Sequence, residues 1–262
     1  MAAKQLAFVA AYFRNNLSAA LEYRTSLISQ VFGMFVNDIL WVAFWALYFT
    51  KFPVLKGWTL EDVIVLWAVV TTAFGLAAGL MANSLRIPQL VVQGQLDYYL
   101  ALPKNVLLHL LVSQMRLVNF GDLLFGPVLL LVMVDLTWTK LLVFLLSTLL
   151  AAMVLLGFFI LTGSLTFFLG NSDALSGQLT NALLHFSTYP AVIFEQGVKF
   201  ILFTLIPAAF VSTLPVELVR EFSWGRFLQL LGGAALFLGL AVWLFHRGLR
   251  RYESGNLMVM RS

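Results

Sequence analysis

Six stretches of this sequence are apolar for long enough to cross a bilayer, and that limits the chain to a bundle of helices in lipid. About 20 helical residues span the roughly 30 Å hydrocarbon core. The stretches run from about Leu27 to Phe49, Val63 to Ala82, Val106 to Val134, Leu141 to Leu169, Ala174 to Phe194 and Phe227 to Phe245. Hydrocarbon offers no partner to a free N–H or C=O, so runs of this length are predicted to be helices that pair their own backbone. Composition removes the rival reading of a large soluble core: 61% of residues are hydrophobic and 11% charged, against about half and a quarter in soluble domains.

Two segments depart from the simple span. Val198 to Leu214 is short and interrupted by Pro207, so residues 195–214 read as a re-entrant element on the external side. Ahead of the first span, Leu6, Val9, Phe13, Leu17 and Leu21 share one helical face, and Lys4, Arg14, Asn15, Ser18 and Glu22 lie opposite. That pattern predicts an interfacial helix over 1–25 with its apolar face among the acyl chains. A signal peptide fits less well, because Arg14, Asn15 and Asn16 interrupt the apolar run. The expected fold is an all-α polytopic membrane protein, one transmembrane domain over 1–262.

Orientation follows from the basic residues, which are retained on the cytoplasmic side. With both termini inside, Lys4, Arg14, Arg24, Arg86, Lys104, Arg247, Arg250, Arg251 and Arg261 fall on inner segments. Lys51, Lys56, Lys140, Lys199, Arg220 and Arg226 fall on outer ones, offset there by Glu61, Asp62, Asp135, Glu195, Glu217 and Glu221. The net charge of +4 forms no basic tract, so it reads as topogenic rather than as a nucleic-acid surface. Multi-pass insertion in the bacterial cytoplasmic (inner) membrane is the expected location.

Several chemistries are excluded by what the sequence lacks. There is no cysteine, hence no disulfide, thiolate metal site or thiol nucleophile. No GxxxxGK[ST] loop is present to hold nucleotide phosphates, and no HExxH or GxSxG motif occurs. His109, His185 and His246 are far apart in sequence and read as packing or interfacial residues. The chain is expected not to be an enzyme, with no catalytic, cofactor or metal residues of its own.

Polar residues inside the spans are more informative, because a charge at the bilayer centre costs about 2.5–3.5 kcal/mol on insertion scales. Asn37 and Asp38 sit near the middle of the first span. On the third, Arg116, Asn119 and Asp122 follow at intervals of three, a polar stripe on one continuous helix. They predict a pathway lining, or an Asp38–Arg116 pair beside one. The competing reading starts the third span deeper and lets Arg116 snorkel to the surface. Gly75 and Gly79 form a GxxxG that permits close helix approach, and Pro127 and Pro190 can kink their helices.

Between the second and third spans, Asn83 to Lys104 carries RIPQLVVQGQLDYYLALP, in which Pro88 can open a short helix and Pro103 close the segment. Exposed aliphatics among polar residues suit docking to a cytoplasmic partner; a plain interfacial connector fits the periodicity equally.

The order of these features resembles the membrane subunit of an ABC-2 type exporter. Four segments carry the likeness: LEYRTSLI at 21–28, QGQLDYYLALP at 93–103, YPAVIFEQGVKFILFTLIPAAFVSTLP at 189–215 and RYESGN at 251–256. The resemblance implies a permease that forms its pathway with a second permease, the same or a different chain, and is driven by two copies of a separate ATPase subunit. ATP and Mg would be bound by that partner and none by this chain. The loop 86–103 would be the coupling helix, contacting the ATPase through Arg86, Pro88, Leu96, Asp97, Tyr98 and Pro103, with Glu22 and Arg24 flanking. The cargo expected is amphipathic or hydrophobic. A gradient-driven secondary transporter or channel using Asp38, Arg116 and Asp122 is the alternative, although no clear inverted repeat appears. A structural scaffold without transport is the third.

Overall fold

The computed structural model describes residues 2–253. Ser254 to Asn256 of the RYESGN segment and Arg261 lie outside the described residues, as do the side chains of Lys4 and Leu6. The described chain is helical with no strand, the all-α polytopic fold expected.

α1 (Ala2–Glu22) and α2 (Arg24–Lys51) meet at an elbow on Tyr23. α3 (Leu60–Phe74) follows and is the centre of the bundle, with every residue from Asp62 to Ala73 buried. It continues into a π-helical segment, Gly75–Gly79, and a 3₁₀ turn, Ala82–Arg86. Two short helices, α4 (Ile87–Val92) and α5 (Leu96–Leu100), form the loop that follows, with Pro88 in the first turn of α4. Gly94 at φ 70° turns one into the other, a left-handed conformation that costs glycine little.

The expected third span is not one helix. α6 (Val106–Val112) and the segment 117–133, a 3₁₀ turn at Leu117–Asn119 followed by α7 (Phe120–Met133), are bent by 72°. The polar run Ser113 to Arg116 is the break, because its backbone groups find partners outside the helix. Gly79 O accepts Arg116 N–H at 2.9 Å and Gln114 O accepts Ala82 N–H at 3.2 Å. The π-helical turn frees such carbonyls at this position.

α8 (Trp138–Ser164) carries on through α9 (Thr166–Leu169), and α10 (Asp173–Ser187) follows. α10 has 15 residues, about 22 Å at 1.5 Å per residue, so the stretch 174–194 falls short of a full crossing by itself. The next elements, α11 (Gln196–Thr204), α12 (Ala208–Val211) and α13 (Thr213–Arg220), form a second pair bent by 74° at the segment holding Pro207. α14 (Trp224–Leu249) packs along α8. Among the described residues four helices are long and apolar enough to cross a membrane, or up to six if each bent pair is one span.

The expected close packing at GxxxG is present. A Cβ on Gly75 would come 2.5 Å from Leu123 N of α7, so only glycine allows the two backbones to approach this closely. That contact brings α7, and with it Asp122, against α3.

Candidate functional site

A cavity of about 260 Å³ lies among α2, α3, α7 and the end of α10. Asn37, Asp38 and Trp41 enter it from α2, Trp67 and Thr71 from α3, Asp122 from the first turn of α7, and His185 and Tyr189 from α10 and the turn beyond. Asp38 and Asp122 are 3% and 4% exposed and line the same cavity. Asn37 Nδ2 donates to Asp38 Oδ1 at 3.3 Å. Each carboxyl keeps one buried oxygen without a partner among the described residues, and so does the Trp67 indole N–H. The Trp41 and Trp67 rings stack at 5.8 Å, forming an aromatic wall beside the acids. Two buried carboxyls on one cavity, with no Lys or Arg in its lining, are costly in a helix bundle.

This corrects the sequence reading in two respects. Asp38 shares a cavity with Asp122, not with Arg116. The break at 113–116 also removes the continuous polar stripe: Arg116 is exposed and lines a different pocket with the start of α2, Asn119 is buried in the 3₁₀ turn, and only Asp122 reaches the cavity. Sequence reasoning passed over Trp41, Trp67 and Tyr189. Trp41 lies at i+3 from Asp38, on the same face of α2, and that spacing is the signal that could have found it.

A second constellation ties the loop helices to α1 and to the break. Asn83 Nδ2 donates to Leu110 O at 3.0 Å and to Ser113 Oγ at 2.9 Å, and Tyr99 OH shares a 3.0 Å hydrogen bond with Ser113 Oγ. Asn16 bridges from α1, donating to Ser113 O at 3.3 Å and accepting from Met115 N–H at 3.2 Å. Tyr12 OH bonds His109 Nε2 at 2.7 Å, and His109 is fully buried, as a packing histidine would be. Burial and then Asp97 push the nearby Tyr252 phenol up to about 12, so it stays neutral in this body.

Of the residues expected to contact an ATPase, Glu22, Arg24, Tyr98 and Pro103 are exposed, and Asp97 is half-buried. Arg86 is also half-buried, its guanidinium held by Gln114. Pro88 is buried, and Leu96 has no accessible surface, packing with Ile87, Leu90 and Leu110. Leu96 and Pro88 are therefore corrected from docking contacts to core. The apolar side chains the loop presents outward are Tyr98, Leu100 and Leu102.

At the other end of α3, Asp62 accepts from Thr59 N–H at 2.8 Å and from Arg220 Nε at 2.8 Å, pinning the end of α13 to the start of α3.

Residues 32–255 match the family described as ABC-2 family transporter protein. This chain belongs to that family. It is a multi-pass membrane protein and the permease subunit of an ABC transporter, the transmembrane component rather than the ATPase, and the family implies association with an ABC ATPase. No curated protein and no solved structure matches it. In this ABC-2 permease the matched region contains both the carboxyl cavity and the loop helices, while α1 precedes it.

Proposed function

We propose that this permease forms, with a second permease of the same or a different sequence, the pathway of an exporter for an amphipathic or hydrophobic substrate. Two copies of a separate ATPase, which bind ATP and Mg, drive it from the cytoplasmic face of the bacterial inner membrane, where both termini lie. The observation that carries this reading is the cavity at Asp38 and Asp122. Buried acids among aromatic walls are costly in a helix bundle that only holds itself together, and they suit a lining that a substrate passes.

The loop helices supply the coupling. Ile87, Leu90 and Leu96 lock α4 and α5 into one apolar body with α6, α8 and α14, so a push on the exposed Tyr98 edge moves that body as a unit. Its upper end is the 113–116 break, bonded to the π-helical turn of α3, and the seam between α3 and α7 opens directly on Asp122. ATPase closure thereby reaches the cavity through packed side chains and hydrogen bonds, with alternating access as the outcome.

Co-expression with candidate ATPase and permease partners, reconstitution in nanodiscs and measurement of ATP hydrolysis test the assembly. A Tyr98→Ala variant is expected to insert normally and to lose most ATP-driven transport while hydrolysis continues. Transport that persists without ATP under an imposed proton gradient would replace this reading with a gradient-driven carrier using the same carboxyl pair.

A further inference from the structure

A second pocket, of about 280 Å³, lies where the elbow between α1 and α2 faces the break in the third span. Its wall carries Tyr23, Ser26 and Gln30 from the elbow and the first turns of α2, and Arg116 from the break. No acidic side chain lines it, and Arg116 forms no ion pair among the described residues. Gln30 Nε2 donates to Ser26 Oγ at 2.8 Å, which leaves the serine hydroxyl hydrogen free to donate into the pocket. The Arg116 guanidinium, the Ser26 hydroxyl and the Tyr23 phenol are thus donors around one space that contains no counter-charge. The Arg116 backbone is held at the pocket, its N–H bonded to Gly79 O and the residues after it entering the bundle.

We propose that this pocket binds the phosphate headgroup of an anionic phospholipid from the leaflet on the α1 side. A planar guanidinium with flanking hydroxyl donors is matched to phosphate oxygens. The volume suits a headgroup. Ala20, Leu27, Leu117 and Val118 form the rest of the wall, giving apolar surface to the first carbons of the acyl chains that a free phosphate would leave facing water. Along α2 the residues after Gln30 are apolar or glycine until Asn37 and Asp38, so a phosphate meets no further polar group for about two turns. Gln30 to Asp38 is eight residues, about 12 Å along the helix, so the carboxyl cavity is separate from this pocket. The lipid is therefore a resident of the seam between α2 and the break, distinct from the cavity the substrate is proposed to pass, and the inference does not depend on the transport reading.

The test is native mass spectrometry of the full chain, purified in detergent and titrated with phosphatidylglycerol, with phosphatidylcholine and with inorganic phosphate. One phosphatidylglycerol per chain is expected to be retained in preference to phosphatidylcholine. Arg116→Gln is expected to weaken that retention about tenfold, the scale of losing a charge-assisted hydrogen-bond pair. Arg14→Gln, on the exposed face of α1, should leave it unchanged. Equal retention by Arg116→Gln and the parent chain overturns the site, and displacement of the lipid by millimolar inorganic phosphate overturns the lipid assignment in favour of a plain anion site. If Arg116→Gln does not yield monodisperse protein, the double variant Tyr23→Phe, Ser26→Ala carries the same test, with unchanged retention as the overturning result.

Discussion

The two bends, 72° between α6 and α7 and 74° between α11 and α12, have nearly the same angle and are made in different ways. The second is written in the covalent chain: Pro207 at the turn has no N–H to continue the α11 ladder. The first has no proline at its corner. Ser113 to Arg116 leaves the helix because Asn83, Asn16 and Gly79, each distant in sequence, take the hydrogen bonds that a continuous helix would have made for itself. A bend encoded by proline survives loss of its neighbours; a bend held by tertiary hydrogen bonds is only as durable as they are, and that suits it to a place where motion is transmitted.

Leu96→Asp is expected to have the largest effect, because it puts an unpaired carboxylate into the body that supports the first bend, at a cost of about 3–5 kcal/mol. Thermal unfolding in detergent should show the loss directly. A melting temperature unchanged from the parent would mean that the loop helices are not packed as a unit. Paired with Tyr98→Ala, which should leave unfolding within about 0.5 kcal/mol, it separates folding from coupling in one segment.

Asn83→Ala removes the buried amide that donates to Leu110 O and Ser113 Oγ and should cost about 2 kcal/mol. Hydrogen exchange at residues 110–117 is the sensitive readout, since amides around the break should exchange faster while α11 to α13 stay protected. Equal change at both bends would erase the distinction drawn between them.

Pro207→Ala sharpens the comparison from the other side. It should cost about 1 kcal/mol, much of it through the greater freedom of the unfolded chain, and spare the hydrogen exchange of the first bend. The smallest effect is expected from Arg220→Gln, which removes the tie between α13 and Asp62. Its exposed guanidinium limits the loss to about 0.5–1 kcal/mol, and raising salt should reduce the difference between variant and parent.

Much of the fold was legible. Apolar length marks the long helices, Pro88 marks the start of α4, Pro207 marks a bend, and Gly75 marks a close crossing, because each of these is a local property of the chain. The fifth stretch was harder: it is apolar enough in places, yet its helix ends at Ser187 before it is long enough to cross. The candidate site was legible only in part. Asp38 and Asp122 were recognisable as costly residues in hydrocarbon. Whether Asp38 pairs with Arg116 stayed open, since helical period on a span read as unbroken leaves both Arg116 and Asp122 within reach. Leu96 shows the same limit: an aliphatic residue in a polar loop reads as a contact surface until the loop is seen folded over its own core.

By itself, then, the sequence determined that the chain lies in lipid as helices, where proline and glycine interrupt or narrow them, and which family's segments it carries. These follow from hydration cost and backbone geometry, which act residue by residue. Only the tertiary structure decided that the third span breaks at 113–116, that Asp38 faces Asp122 across a cavity walled by Trp41 and Trp67, and that Arg116 stands apart over its own pocket. Those outcomes depend on which distant backbone and side-chain groups satisfy one another once the helices cross, and helical period carries no information about that.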